Sequence, residues 1–296
     1  MGKSSTLGKA QWQFKEQLKR VIEEDAPDKE EIDLSMRVSQ FGYIKTVDFT
    51  NTMLAHRCSK GMVVEKEKVI TKRLYLTFGI GHAVHDMIQT LVAKNGKSLF
   101  ADWECPKCRA ISTGIDICVC PACTFTGRFK YKEVYLKYGS GIHIGGHPDL
   151  IKVLLDYEDG NAGVFIIDIK TINDNNFKNL KNFGPSPEYI VQVIMYMFLV
   201  KNDIERRIAF GERELLPSES KMFGRIYYLN KNDSSELEFG IKYDEDLVTR
   251  CLVMYNYYYR CMMSGKIKEG TDVTDMNKTV VEYFGREKFM DLWYPL

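Results

Sequence analysis

The chain has almost no net charge: 41 basic residues against 40 acidic ones in 296 leave +1. That balance excludes a globally basic coat for nucleic acid, though it leaves room for a local basic groove. Long apolar runs are also missing. The longest, Tyr189 to Val200, is interrupted by Gln192 and falls well short of the ~20 residues a bilayer requires. The first residues, Met1-Gly2-Lys3-Ser4-Ser5-Thr6-Leu7, lack the apolar run of a signal peptide; Gly2 with Thr6 fits the loose myristoylation pattern, which is common by chance. There is no internal repeat and no low-complexity tract, and 12% aromatic content argues against disorder on a large scale. What remains is an ordinary globular composition, long enough for one large domain or two small ones without disulfides. Cytoplasmic is the default location, host cytoplasm if the chain is phage-encoded, with no membrane partner.

The eight cysteines are not scattered. Five fall between Cys105 and Cys123, and Cys58, Cys251 and Cys261 stand alone. Clustering in a chain with no export signal favours metal over disulfide. Cys105-Pro106-Lys107-Cys108 and Cys120-Pro121-Ala122-Cys123 are two copies of one knuckle, separated by eleven residues. Two residues between thiolates let one tight turn aim both sulfurs at a single ion, and two such turns complete a tetrahedral site closed to water, hence structural zinc. Cys118 is an alternative to Cys120, but the repeated proline favours Cys120. An iron–sulfur cluster and a redox dithiol pair are the competing interpretations.

Along the chain, Trp12, Phe14, Leu18 and Ile22 recur at helical spacing, and a second amphipathic helix is expected over 29–40. Gly81 opens a helix on which Val84, Ile88, Leu91 and Val92 share one face. After the cysteine-rich segment come strand-like runs at 132–138, 142–151 and 163–171, then a helix holding Gln192 and Tyr196. Strands at 222–229 and 237–243 form a hairpin, and a last helix starts at the N-cap Asp244 and ends before Gly265. This mixture predicts an α/β core carrying one inserted module. We expect an N-terminal helical region at 1–60, a core at 61–296 and the cysteine insert at 101–126 within it.

The strand from Gly163 to Thr171 carries the chemistry. Its first half is continuously apolar, as in a strand buried on both faces; Asp168 and Lys170, two apart, then point the same way. A partly exposed salt bridge is the bland explanation. Earlier in the chain, Gly145-Gly146-His147-Pro148-Asp149 supplies a second carboxylate in a strand-like setting. Two aspartates on adjacent strands suit Mg²⁺ or Mn²⁺, and a lysine beside them can orient the attacking water. That set fits hydrolysis of a phosphodiester.

Pro148-Asp149 followed by Asp168-Ile169-Lys170 resembles the PD-(D/E)XK nuclease signature. Gly81-x-x-x-His85 and Gln192-x-x-x-Tyr196 resemble two further motifs of its RecB-type branch, which includes CRISPR-adaptation, phage and mitochondrial exonucleases. The resemblance covers residues 74 to 265 and implies a restriction-endonuclease-like core, a central mixed sheet flanked by helices. It implies that His85, Asp149, Asp168 and the carbonyl of Ile169 ligate Mg²⁺ or Mn²⁺, that Lys170 positions water, and that Gln192 and Tyr196 line the site. Taken singly, His85 is equally a core histidine and the Gln–Tyr pair equally the polar tips of a buried helix. The chain departs from the family in its cysteines: Cys251 and Cys261 are widely spaced in an apolar helix and look like core residues, which disfavours the iron–sulfur cluster of some members even though Cys58 is suitably placed.

Arg128, Lys130 and Lys132 alternate with Phe129 and Tyr131, a pattern for phosphates and stacked bases or, equally, for an edge strand. Lys178 and Lys181, in a polar loop expected over 173–182, are further phosphate candidates by position. We therefore expect a DNA exonuclease with a structural zinc ribbon, serving replication, recombination or repair beside a replication or recombination protein. A DNA endonuclease on the same scaffold and a catalytically silent DNA-binding adaptor are the alternatives.

Overall fold

The computed structural model describes residues 35–50, 54, 72–95, 97–158, 161–209, 221–265 and 275–296. The chain divides into two compact units, Met1–Asp33 with Val64–Val84, and Leu34–Val63 with His85–Leu296. In the first, the described residues are the opening half of helix α1 (Lys72–Asn95), whose second half belongs to the other unit. The helix thus starts well before Gly81, since its two internal glycines, Gly79 and Gly81, cost only about 1 kcal/mol each and no proline intervenes. The helix expected over 12–22 and the boundary expected near residue 60 lie outside the described residues.

Every other element belongs to the second unit. The strands are β1 (Met36–Arg37), β2 (Leu99–Glu104), β3 (Ile111–Ile115), β4 (Lys130–Lys132), β5 (Leu136–Tyr138), β6 (Ile144–Gly146), β7 (Leu150–Glu158), β8 (Asn161–Ile172), β9 (Lys221–Asn230), β10 (Glu236–Ile241) and β11 (Trp293–Pro295). The helices are α2 (Asp174–Phe183), α3 (Pro187–Ala209), α4 (Glu245–Ser264), α5 (Val280–Phe284) and α6 (Arg286–Met290). Eight strands form a mixed sheet in the order β11–β10–β9–β8–β7–β2–β3, with β4 added on β2; β8 and β9 are parallel and the other pairs antiparallel. A parallel pair needs a crossover, which α2 and α3 supply between β8 and β9. A smaller sheet, β1–β6–β5, stands apart.

Helix α3 is the apolar run that is too short for a bilayer. Ile190, Val191, Val193, Ile194, Met195, Met197 and Leu199 are all fully buried, so the helix is apolar around its circumference because it is enclosed. It packs on β8 and β9 of the large sheet and on β5 of the small one. β8 reads as expected, with Ala162 to Ile166 buried without alternation. β9 alternates instead, burying Gly224, Ile226, Tyr228 and Asn230. Helix α4 has the expected ends: the Asp244 side chain accepts the Leu247 amide at 2.8 Å, and Gly265 takes the left-handed conformation with φ 67°. Cys251 and Cys261 on α4 are buried.

Three local expectations are corrected. The helix expected over 29–40 becomes, in its described part, strand β1 and a 3-10 turn at Val38–Gln40, because parallel pairing with β6 buries Met36 and Val38. The runs at 132–138 and 142–151 each break into two strands, at 133–135 and at 147–149. The polar loop over 173–182 is helix α2, capped by the Asn173 side chain and anchored by buried Phe177 and Leu180.

The cysteine segment is continuous with the large sheet, since β2 pairs with β7 at Leu99 and Phe100. At the end of β2, buried Glu104 meets Lys132 Nζ at 2.7 Å and Arg109 Nη1 at 2.5 Å. Lys132 first and Arg109 second hold its carboxyl down at about 2. A depressed carboxyl contributes stability above its ordinary pKa of 4.5 and loses it as pH falls through about 2. Glu104→Gln is therefore expected to lower the thermal midpoint at pH 7, with the gap to wild type narrowing as calorimetry is repeated below pH 4.5.

Candidate functional site

β7 and β8 are neighbours with Leu150 opposite Ile167, so Asp149, just ahead of β7, arrives beside Asp168 on β8. Asp149 is held from several sides. Its Oδ2 accepts the Ile169 backbone amide at 2.5 Å, and its Oδ1 lies 3.6 Å from His85 Nδ1 on α1. Its backbone carbonyl accepts the Tyr131 hydroxyl at 2.6 Å and the Gln89 side-chain amide at 3.0 Å. Gln89 spends its other amide hydrogen on Glu133 Oε1 at 2.7 Å.

Asp168 is 2% exposed. Lys170 Nζ donates to its Oδ1 at 3.0 Å and lies 2.8 Å from Oδ2, while Gln192 Nε2 reaches Oδ1 at 3.3 Å. Oδ2 makes that ion pair but accepts no hydrogen bond. The Lys170 ammonium also donates to Gln192 Oε1 at 3.4 Å and sits 4.7 Å above the Tyr189 ring. One turn along α3, the Tyr196 hydroxyl accepts from Gln192 Nε2 at 3.3 Å. The glycine-rich stretch before Asp149 has a steric purpose here: a Cβ at Gly146 would fall 2.8 Å from Tyr196 Cε1.

The charges of this cluster are coupled. Burial pushes the Asp168 carboxyl up to about 6, Lys170 pulls it back and Asp149 adds to the rise. Burial pushes Lys170 down, but Asp168 and then Asp149 outweigh it and leave the ammonium above its ordinary value. His85 is raised by the Asp149 carboxylate against the opposing effect of burial. Burial also raises Glu133 and Tyr196.

The sulfurs form a second, tighter constellation. Cys105, Cys108, Cys120 and Cys123 have their Sγ atoms all within 4.8 Å of one another, with 3.7 Å between Cys105 and Cys123 and 3.6 Å between Cys108 and Cys120. Four thiolates at ~2.3 Å from a tetrahedral centre lie about 3.8 Å apart, so the spacing fits zinc, and all four are free thiols. The knuckles repeat in backbone as well as sequence: Arg109 N donates to Cys105 O and Thr124 N to Cys120 O, each at 2.9 Å, and both donor residues have positive φ (64° and 57°). Burial raises the Cys120 thiol, yet the amides of Cys123 and Ala122 together with the Cys108 and Cys123 sulfurs outweigh it and bring it down to about 7. Cys118 is exposed and outside the group. Among the described residues, this is the one set of three or more His, Cys, Asp or Glu ligand atoms that meets this spacing; His85, Asp149 and Asp168 are more widely spread.

The structure therefore gathers His85, Asp149, Asp168, Ile169, Lys170, Gln192 and Tyr196 in one place, and the four cysteines in another. The nucleic-acid candidates fare differently. Arg128 and Lys130 are exposed, whereas Lys132 is engaged with Glu104. Lys178 and Lys181 are exposed on α2, where Lys181 Nζ lies 5.2 Å over the Phe177 ring, and neither hydrogen-bonds a site residue among the described residues. Residues that sequence reasoning missed are Gln89, Glu133 and Tyr189. Gln89 had a signal, since it lies one turn beyond His85 on α1. It is buried while Leu91 is 49% exposed, so of the expected apolar face Val84, Ile88 and Val92 turn inward, half-buried, and Leu91 does not.

Fold and site together define a mixed α/β protein, helices around a mixed central sheet, with a four-cysteine group that can hold a metal such as zinc. Among the described residues no helix is long and apolar enough to cross a membrane. The chain matches no protein-family model, no curated protein and no solved structure.

Proposed function

We propose that the chain is a metal-dependent DNA nuclease of the PD-(D/E)XK, RecB type, an exonuclease acting at DNA ends in replication, recombination or repair. The observation that carries this reading is the convergence of four motifs distant in sequence: His85 from α1, Asp149 at the head of β7, Asp168 and Lys170 on β8, and Gln192 with Tyr196 on α3. Their donor chemistry suits a hard cation. Mg²⁺ takes one or two carboxylates and keeps several waters, so two aspartates can suffice without a full protein cage. Asp168 Oδ2, buried and paired with the Lys170 ammonium but accepting no hydrogen bond, is an atom that such an ion could also engage.

Asp149, Asp168, the Ile169 carbonyl and His85 would hold Mg²⁺ or Mn²⁺, which when bound stabilises charge on the phosphoryl oxygens and activates water. Lys170 acts by positioning the attacking water beside the scissile phosphate. Gln192 fixes the ammonium and the Asp168 carboxylate at once, and Tyr196 fixes Gln192. Zinc at the four thiolates has no open position and serves the ribbon.

The test is digestion of end-labelled linear and covalently closed circular DNA with Mg²⁺ or Mn²⁺. Loss of the linear form alone is expected. Cutting of circles would make the protein an endonuclease on the same scaffold, and no cleavage of either would leave a DNA-binding adaptor.

A further inference from the structure

Between the second half of α1 and strands β2 to β4 lies a cleft of about 660 Å³. Trp103, Phe129 and Tyr131 line it, Phe129 and Tyr131 half-buried and Trp103 packed edge-on against Tyr131 at 5.9 Å. Around them stand Lys94, Lys97, Arg128 and Lys130, all exposed. None of these four cations has an ion-pair partner among the described residues, in contrast to Lys132 on the same ribbon. The two carboxylates in the lining do not cancel them. Asp116, which accepts the amides of Ser98 and Leu99 at 2.5 and 3.0 Å, and Asp86 set two negative charges against the four positive ones.

The cleft borders the aspartate site. Tyr131 and Gln89 both line it, and both hydrogen-bond the backbone carbonyl of Asp149. The cleft and the backbone of Asp149 thus share a wall.

We propose that this cleft binds an unpaired nucleic-acid strand, its phosphates on Arg128, Lys130, Lys94 and Lys97 and a base on Phe129. Interleaved cations and aromatic rings answer a charged backbone with stacked bases, the combination by which single strands are held without regard to sequence. A duplex keeps its base faces inside its own stack and cannot offer one to a ring recessed in a cleft. The volume is also that of a small-ligand site, which takes a nucleotide and not a double helix. The inference deepens the nuclease reading and rests on it for the fate of the strand: an end reaches Asp149 only after it is unpaired.

The test is fluorescence anisotropy with the full-length protein and labelled probes of roughly 12 nucleotides, oligo-dT, oligo-rU and a blunt DNA duplex, with no divalent cation added. At least one of the single strands is expected to bind about tenfold tighter than the duplex, and the preference between them separates DNA from RNA. Arg128→Glu with Lys130→Glu is expected to weaken that strand at least about tenfold and to flatten the dependence of log affinity on log salt by about 1.4, for two phosphate contacts. Phe129→Ala is expected to weaken it about tenfold with the salt slope unchanged, and Phe129→Tyr, which keeps a ring, to restore it. Equal binding of duplex, wild-type affinity in both the charge-reversal and Phe129→Ala proteins, failure of Phe129→Tyr to restore binding, or equal competition by a poly-glutamate peptide would overturn the proposal. Because cleavage is not read, the two ideas fail separately: strand binding by a protein that never cleaves DNA removes the nuclease reading and leaves the groove.

Discussion

Asp168→Ala is expected to reduce metal-dependent DNA cleavage by about a thousandfold or more, the scale of losing a preorganised electrostatic group at a water-excluded centre. Asp168 is nearly inaccessible, touches Lys170 and Gln192, and stands on the strand next to Asp149. Its removal takes out a carboxylate and frees Lys170 at once. The same substitution is expected to destabilise the fold by about 3 kcal/mol in urea titrations, because a largely buried ammonium is left without its counter-ion. Pairing Asp168→Asn with Lys170→Met is expected to recover most of that stability and none of the activity. A buried ion pair replaced on both sides by neutral groups of similar size is often no weaker than the original. Full activity in Asp168→Ala would mean that the chemistry lies elsewhere. A double variant no more stable than Asp168→Ala would mean that Lys170 is supported by other groups, Tyr189 first among them.

Cys120→Ser is expected to release the metal. Elemental analysis of wild type should give about one zinc per chain, and the variant a small fraction of it. Structural zinc is worth on the order of 10 kcal/mol or more in isolated small domains. Here the first strand of the segment, β2, is tied to β7 by backbone pairing, so the damage is expected to stay local. Hydrogen exchange should rise across 105–126 while β8 and α3 remain protected. Cys118→Ser is the control: its exposed thiol lies outside the four-sulfur group, and zinc content should not change. Zinc retained in Cys120→Ser, or lost in Cys118→Ser, would show that the fourth ligand is misassigned.

Much of this was legible because the determining interactions are local. The twin knuckles announce themselves by spacing, since two residues between thiolates and a left-handed turn are all that each half-site requires. The buried run of β8, the Asp244 cap and the Gly265 stop of α4 are equally local. Helix α2 escaped notice for the opposite reason. Its sequence is polar enough to pass for a loop, and only Phe177 and Leu180, buried against the rest of the fold, give it a side to rest on. The strand at 36–37 was likewise unreadable, because its partner, β6, lies more than a hundred residues away.

By itself, then, the sequence determined which cysteines gather, which carboxylates and which lysine come together, and the mixed α/β class. Spacing within one turn or strand is enough to state those. Only the tertiary structure decided that Gln89, Tyr131 and Glu133 surround Asp149, that Lys132 is neutralised by Glu104 while Arg128 and Lys130 are not, and that a cleft beside these cations shares Gln89 and Tyr131 with the surroundings of Asp149. Those contacts join residues on different strands and helices. Nothing periodic along the chain records them, because each is fixed by how α1, β2 and β4 pack and not by any preference of the residues themselves.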